Sequence, residues 1–519
     1  MALRLVSFTL VAAVCFLTFF GHRRITATLP AMFAEAGEQA MLLPGRITPT
    51  STSTSVRSKL TDSIASSSTN MPSQTQPLER TNSPAALPTE PPAIRSLVQN
   101  HIYRLESAEG DTSCAAYRMD QELKRSGFDP VRYPWSLVRQ GAAVGRPEVL
   151  YGTAYAQKVL WEHQHPANCS NASFLMYSLH TAGVGSQLHW MGQALALAMN
   201  LGRVLVLSPE DKNVKLYDST FCPGASGYEC WLQNITSCHV GDQDVLQLHG
   251  HPKMEREPAE NFQLQSVPVV FHEMLANCSP IKSKFWFYWW RSQSVTYLAR
   301  FNDKTRKALD RFRSESLYIC DAEKPSPTHV LSPGHISVHI RLGEKTSEAL
   351  LFPFIAYLKQ VRALVNNSSE LRVLFKEVAE SDTNFSYPSG AYSERKMFLS
   401  TEDQLSVLRA LSLCRADPPW QVSWTKVNRE KLLSQKDPWM HLTSEQAARE
   451  QALIAFMNLE LALEADAWVC TLSSNWCRLI DELRMTVGMK ASKPYLSLST
   501  HGKTKEPCPP EEPQCYLCY

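Results

Sequence analysis

Neither sign of charge dominates this chain: 52 Lys and Arg stand against 50 Asp and Glu in 519 residues, a net charge of +2. A nucleic-acid binder driven by bulk charge shows a clustered basic excess, so that class of partner is excluded. Long apolar runs are scarce as well. With 44% hydrophobic residues and one terminal charge-free stretch, the chain is neither a multi-span membrane protein nor disordered throughout. No repeat of solenoid period is present. The length allows two core-bearing domains with appendages, because single cores stop growing near roughly 250–300 residues.

The charge-free stretch runs from Leu5 to Phe20, with Arg4 before it and His22, Arg23 and Arg24 after it. It is shorter than the roughly 20 residues of a typical spanning helix. A cleaved signal peptide, whose apolar core is about 7–15 residues, is one reading. A short signal anchor, suited to thin early-secretory membranes, is the other and is the expectation. Residues 1–24 are then a short cytoplasmic tail and membrane anchor, and the protein is a single-pass type II Golgi membrane protein with a lumenal body. Cleavage and secretion form the alternative. Acceptor sequons for N-glycans agree with a lumenal body: they begin at Asn168, Asn171, Asn234, Asn277, Asn366, Asn367 and Asn384.

Aromatic residues and cysteine are missing between Thr48 and Pro92, where 26 of 45 residues are Ser, Thr or Pro. Such a segment cannot bury enough apolar surface to offset its ordering entropy. Residues 25–95 therefore read as a disordered, O-glycosylated stem. Of the 14 cysteines, Cys15 lies in the apolar stretch, and most of the others should pair in an oxidising compartment. A disulfide framework is expected of Cys222, Cys230 and Cys238 rather than zinc. Cys515 and Cys518 form a lone CxxC on a Pro-rich tail, 499–519, read as a disordered end.

A helical lead-in is expected around Ile94 to Ser126, from the spacing of Leu97, Ile102 and Leu105. Two α/β domains follow, at 96–333 and 334–498. In the first, the helix pattern Met191 to Leu201 stops at Gly202, and a β-branched strand begins at Arg203. In the second, strands are expected at Ile336 to Arg341, Lys396 to Ser400 and Ala467 to Cys470. Helices are expected at Phe352 to Asn366, Thr401 to Leu413, Ser444 to Ala465 and Cys477 to Val487. Strands alternating with helices imply parallel sheets covered on both faces. The fold class is α/β, with two Rossmann-like units facing each other across a cleft.

Three segments carry chemistry. Gly183-Val-Gly185-Ser-Gln-Leu-His189-Trp190 places two glycines ahead of a helix, where backbone N–H groups can approach an anion. A tight turn packing helix on sheet is the alternative, since neither GxGxxG nor the P-loop lysine is there. In Ile336 to Lys345, alternation puts Ser337, His339 and Arg341 on one strand face. Arg341 and Lys345 would sit beyond the strand's carboxyl end, where open α/β sheets bind ligands, and Arg suits bidentate phosphate contact. A solvated strand end is the alternative. In Cys470-Thr-Leu-Ser-Ser-Asn-Trp-Cys477 a strand ends, Ser473 or Ser474 can cap the next helix, and its amides offer another anion site, or a purely structural cap.

Five segments in order resemble the α1,6-fucosyltransferase family, which includes core fucosyltransferases of animal N-glycans and bacterial relatives acting on chitin oligosaccharides. Gly183 to Leu207 is similar to its Gly-x-Gly-x-Gln-Leu-His segment, and Trp289 to Arg300 to its Trp-Trp-x-Ser-Gln-x-x-x-Tyr-Leu helix. His339 to Lys345 is similar to its His-x-Arg-Arg-x-Asp-Lys motif. Leu399-Ser-Thr-Glu402-Asp403 resembles its Thr-Asp-Asp strand end, and Cys470 to Arg478 its Cys-Thr-x-Ser-Ser-x-x-Cys-Arg loop. The resemblance implies a GT-B-like fold and inverting, metal-independent transfer of fucose from GDP-fucose, with an N-glycan core GlcNAc or related oligosaccharide as acceptor. His339 would read guanine, and Arg341 and Ser474 would contact the phosphates. Gly183, Gly185, Glu402, Asp403 and Asn458 fall in the donor-binding segments. Glu348 matches the catalytic base and Lys345 the essential motif lysine. Cys470–Cys477 is implied as a disulfide, and no metal or other cofactor is implied.

Four features depart from the family pattern. Leu342 replaces the second arginine, Glu344 the motif aspartate, and Asn458 the guanine-binding aspartate. The lysine-to-glutamate spacing is one residue shorter. The animal family's C-terminal SH3-like module is, in addition, not expected, since few residues follow Leu498. Transfer of a different sugar, and a non-catalytic glycan-binding glycoprotein of the same fold, are therefore the rival readings. Asp242-Gln-Asp244 has the DxD form of metal-dependent transferases but follows no long apolar strand and is read as a loop. His163/His165 and His249/His251 lack a third ligand and are read as ordinary histidines. The aromatic run Phe285 to Trp290 is read as a core helix.

Overall fold

The computed structural model describes residues 94–98, 113–126, 149–179, 182–208, 219–223, 227–241, 244–249, 267–279, 281, 283–320, 330–342, 351–366, 394–427, 429, 445–491 and 493–500. All belong to one compact unit, Glu90–Tyr519; the other unit, Met1–Thr89, lies outside the described residues. The apolar N-terminal segment, nearly all of the stem, Glu344, Lys345, Glu348 and the Cys515/Cys518 tail are likewise outside them. Among the described residues, no helix is long and apolar enough to cross a membrane.

In chain order the main elements are β1 (Ile94–Val98), α1 (Ala115–Arg125), α2 (Thr153–Gln164), β2 (Phe174–Ser178), α3 (Val184–Asn200), β3 (Val204–Leu207), β4 (Val245–His249), α4 (Trp286–Leu298) and α5 (Asp303–Ser316). There follow β5 (Leu317–Ile319), β6 (Ile336–Ile340), α6 (Phe354–Asn366), β7 (Lys396–Thr401), α7 (Gln404–Leu413), β8 (Gln421–Thr425), α8 (Glu445–Glu464), β9 (Ala467–Cys470), α9 (Asn475–Met485) and β10 (Tyr495–Thr500). The expected helical lead-in is thus a strand at its start and a helix only at its end. Ile94–Val98 finds hydrogen-bond partners along β10, a contact no local pattern announces.

A seven-stranded sheet has the order β1-β10-β9-β6-β7-β8-β5, and a three-stranded sheet the order β3-β2-β4. The small sheet and the middle of the large one are parallel; β1 and β5 close the large sheet antiparallel. Strands β6 and β9 are buried at every position, as a sheet covered on both faces requires. On one face Ile336, Val338, Ile340 and Leu399 pack with Tyr357, Val361, Val407 and Ala410 of α6 and α7. On the other, Phe398, Trp468 and Cys470 join Met457, Leu461, Leu479 and Leu483 of α8 and α9.

That second core does not stop at the large sheet. It continues through Leu188, Met191 and Leu195 of α3 and the aromatic residues of α4 to Leu175, Tyr177 and Leu205 of the small sheet. All residues of α4 are buried, as the core-helix reading expects. Trp289 and Trp290 satisfy their indole N–H groups on the carbonyls of Tyr151 (2.7 Å) and Gly192 (3.1 Å). Each such large side chain contributes on the order of 1.5–3 kcal/mol by burial. The two sheets therefore share this core, while each keeps a further cluster of its own.

Helix α3 ends as expected at Gly202, whose φ of 63° is left-handed. Its N–H bonds Met199 O (3.1 Å), and Arg203 N–H bonds Ala198 O (2.9 Å), the paired closure that satisfies the last carbonyls. Disulfides join Cys114–Cys278, Cys169–Cys238, Cys222–Cys230, Cys320–Cys414 and Cys470–Cys477. The Cys470–Cys477 bond is the one the loop resemblance implies.

Candidate active site

Because β9, β6, β7 and β8 are parallel neighbours, their carboxyl ends line one edge, where Cys470, Ile340, Thr401 and Thr425 end the strands. Such an edge collects whatever the following loops carry. His339 stands next to Ser400 in register, and its Nδ1 is 3.0 Å from the Ser400 hydroxyl. Its Nε2 is buried and makes no hydrogen bond. Burial, with the Arg341 charge second, pushes this imidazole down to about 3, so it is neutral and keeps one unspent hydrogen-bonding nitrogen.

One residue beyond the strand, Arg341 donates from Nη1 to Glu402 Oε1 (2.9 Å), which also accepts from Leu342 N–H (2.8 Å). Glu402 thus fixes both the guanidinium and the backbone turning away from β6. About a quarter of the Arg341 side chain is exposed, and only Nη1 is engaged by Glu402. Asp403 does something else: its carboxylate accepts from Ser406 N–H (2.6 Å) and caps α7.

A second cation sits on this edge that no sequence motif singled out. Arg429 donates from Nε to Thr401 O (3.0 Å) and from Nη2 to Thr425 O (2.7 Å), tying β7 to β8 at their carboxyl ends. Burial lowers it to about 10 against the opposing pull of Glu402 and Asp403. Nothing in the residues around it marks the position. Asn458, on α8, accepts from the Thr425 hydroxyl (2.5 Å), so its carbonyl oxygen is already engaged at the end of β8.

The loop after β9 brings Ser474 to the start of α9. Its backbone is extended, and its hydroxyl makes no capping bond to the helix. Arg478 Nε braces the loop from inside on Leu472 O (2.6 Å), while Leu472 N–H donates to Ser497 Oγ (3.1 Å). Tyr357, raised by burial, reaches Thr471 from α6, with Glu402 close enough to add to the shift.

The N-terminus of α3 meets that of α9. A Cβ on Gly185 would stand 3.1 Å from Asn475 C and O and 3.3 Å from Trp476 N, so only glycine allows this approach without displacement. Around Gly183 nothing lies within 4 Å of such an atom. Asn475 Nδ2 donates to Ser186 Oγ (2.7 Å), and Asn475 Oδ1 is 3.1 Å from His189 Nδ1. Behind them His189 Nε2 is 2.8 Å from Glu482 Oε2 and 2.8 Å from Arg291 Nη2, and Arg291 pairs with Glu482 (3.0 Å). Burial and then Arg291 hold His189 near 4. Burial alone would raise Glu482, but Arg291 and His189 reverse this and keep it lowered.

The buried cluster gathers three of the segments read from the sequence: Gly183 to Trp190, Trp289 to Arg300 and Cys470 to Arg478. It fixes two helix N-termini side by side, a favourable place for an anion. Arg341, Glu402, Arg429 and Asn458 stand along the strand ends of the same sheet. Lys345 and Glu348 belong to the segment after Leu342 and lie outside the described residues. The other candidates do ordinary work. Asp244 pairs with Arg203 (2.6 Å), while Asp242 and Gln243 are outside the described residues. His163 bonds Arg203 O (2.9 Å) and His165 stacks on Trp161. Among the described residues no group of three His, Cys, Asp or Glu side chains is placed to hold a metal ion.

No family model matches the chain, and no curated protein matches it. Solved structures do. NodZ alpha-1,6-fucosyltransferase soaked with GDP-fucose is similar at 12% identity over 60% of this chain and 93% of that one, with a TM-score of 0.28. Fucosyltransferase NodZ from Bradyrhizobium gives 12% identity, 60% and 93% coverage and a TM-score of 0.27. POFUT1 in complex with GDP-fucose gives 12% identity, 62% and 96% coverage and a TM-score of 0.29. Likenesses this distant carry no weight for activity.

Proposed function

We propose that this protein is an inverting glycosyltransferase that moves fucose from GDP-fucose to a GlcNAc-containing glycan, with the N-glycan core as the leading acceptor. The observation that carries the reading is the strand edge itself. A buried neutral His339 with a free Nε2, a part-exposed Arg341 and the start of α9 at Ser474 stand at the ends of neighbouring parallel strands, in the segments that resemble the α1,6-fucosyltransferases. A nucleoside diphosphate asks for these groups: a polar reader for the base, and cations and amides for the phosphates.

In the reaction, the acceptor hydroxyl attacks the anomeric carbon opposite the leaving diphosphate. Its proton passes to a carboxylate, the role assigned to Glu348, as the sugar–oxygen bond breaks. Charge then grows on the β-phosphate, where Arg341, Lys345 and the α9 amides at Ser474 stabilise it without a metal ion. Glu402 keeps Arg341 aimed. The five disulfides among the described residues support passage through an oxidising compartment, and a Golgi location with a lumenal body and an N-terminal anchor is part of the proposal.

One observation favours a second reading, a donor with a different base. Asn458 lacks the charge that suits guanine's N1–H and N2–H donors, and Thr425 already occupies its carbonyl oxygen. A radiolabel screen of nucleotide sugars against N-glycan acceptors tests both. Turnover of GDP-fucose is expected. Turnover of another donor would move the assignment to that sugar, and binding of donor without turnover would make the protein a glycan-binding glycoprotein.

A further inference from the structure

Asn234 opens the sequon Asn234-Ile-Thr236 and is exposed, while its neighbours are gripped by the ends of two helices. Gln233 N–H donates to Arg300 O (2.7 Å), just past α4. Ile235 O accepts from the Tyr297 hydroxyl (2.7 Å) and from Gln164 Nε2 (3.1 Å). The Thr236 hydroxyl donates to Gln164 O (2.5 Å) at the end of α2. The side chain at 234 therefore leaves the surface beside whatever residues 161–165 and 297–300 expose.

What they expose is an aromatic shelf. Trp161 is 42% exposed, and its indole stacks on the His165 ring with centroids 3.8 Å apart. Beneath it lies Arg300, only 4% exposed, its guanidinium 5.2 Å from the Trp161 ring and 4.0 Å from the Tyr297 ring. No carboxylate pairs with Arg300 among the described residues, and its Nε and Nη2 have no acceptor. A buried cation so placed leans on the two aromatic faces and holds Trp161 in position, although that indole is left open to water. An exposed, fixed indole covers best against a flat group with both C–H and polar edges.

We propose that Asn234 carries an N-linked glycan whose first N-acetylglucosamine lies against the Trp161–His165 ring pair. The proposal rests on lumenal passage and goes beyond the transfer activity. In the joining step the Asn234 amide nitrogen bonds to the anomeric carbon of an oligosaccharide carried on a polyprenyl diphosphate. The carbon–oxygen bond to that diphosphate breaks, the lipid diphosphate leaves, and the amide loses one proton. The folded chain is a poor substrate for this step, because the Thr236 hydroxyl is already bonded to Gln164; the sugar must arrive before α2 packs. At the nearby sequon Asn168 turns its side-chain oxygen onto Ser170 N–H (2.9 Å).

The test uses the full chain expressed in eukaryotic cells. Peptide mapping after amide-cleaving glycosidase treatment in heavy-oxygen water marks each occupied asparagine. Hydroxyl-radical footprinting then compares protein trimmed to a single N-acetylglucosamine with protein stripped completely, with no substitution that could impair folding. Occupied Asn234 and a several-fold rise in Trp161 oxidation on complete stripping are expected. An empty Asn234 beside occupied Asn171 overturns the proposal alone, and so does equal Trp161 oxidation in the two samples. No occupied sequon anywhere overturns the lumenal reading as well.

Discussion

Gly185 and Asn475 touch backbone to backbone, although 290 positions separate them in the chain. Two helix starts can be this close only if one lacks a Cβ. Gly185→Ala gains about 1 kcal/mol of helix propensity. It also pushes the start of α9 away by a few tenths of an ångström. The two effects offset each other in stability, so thermal unfolding should shift by only a few degrees, while the KM for donor rises several-fold. An unchanged KM with unchanged stability would show that the spacing of the two helix starts does not matter for binding.

Arg341→Ala removes a preorganised donor at a growing charge, worth on the order of 3–4 kcal/mol in the barrier. It also leaves Glu402 without its cation. Turnover is expected to fall more than a hundredfold, with weaker GDP binding measured by calorimetry. A variant that keeps above about a tenth of wild-type turnover would take Arg341 out of the chemistry.

Glu348→Gln separates the base from a mere charge at the helix that follows. As base, its loss lowers turnover by roughly a hundredfold or more and leaves GDP affinity unchanged. As a helix-end charge, it costs a fraction of a kcal/mol of stability and spares turnover. Near-normal transfer by the folded variant would hand the role to another carboxylate, with Glu344 first in line.

His339 and His189 set an acid limit. Their folded values, about 3 and about 4, lie below the roughly 6.5 of an unfolded histidine. The unfolded chain therefore binds more protons as pH falls below about 6.5, and stability drops with it, by up to about 1.4 kcal/mol per pH unit for each group. The denaturant midpoint should hold steady above about pH 7 and fall between about pH 6.5 and 5, with a shallower fall in His339→Asn. A flat midpoint across that interval would mean the rings are solvated.

The buried parallel strands were legible because covered strands must be apolar on both faces, as in Ile336–Ile340 and Ala467–Cys470. The edges were not. Ile94–Val98 and Leu317–Ile319 are strands only because β10 and β8 offer them free hydrogen-bonding groups from distant parts of the chain. The site divides in the same way. His339 and Arg341 announce themselves by alternation at a strand end, and Cys470–Cys477 by its short loop and the family likeness. Arg429 lies in no pattern, and its role comes from carbonyls at two strand ends. Likewise His189 and Arg291 look like motif residues waiting for a ligand, and Glu482, which turns them inward, lies some 290 and 190 positions away.

Ile94 and Thr500 are direct partners in the antiparallel pair that closes the large sheet, so their Cα atoms are about 4.5–5.5 Å apart. The first and the last of the described strands thus lie side by side. A short linker could join these two positions and the backbone be cut elsewhere, giving a circular permutant with the same ladder. The same geometry lets the whole unit be spliced into a surface turn of a host protein, because a turn supplies two ends at about this spacing. Fluorophores placed at the two positions would report dissociation of this edge pair before any change at the strand ends that hold Arg341.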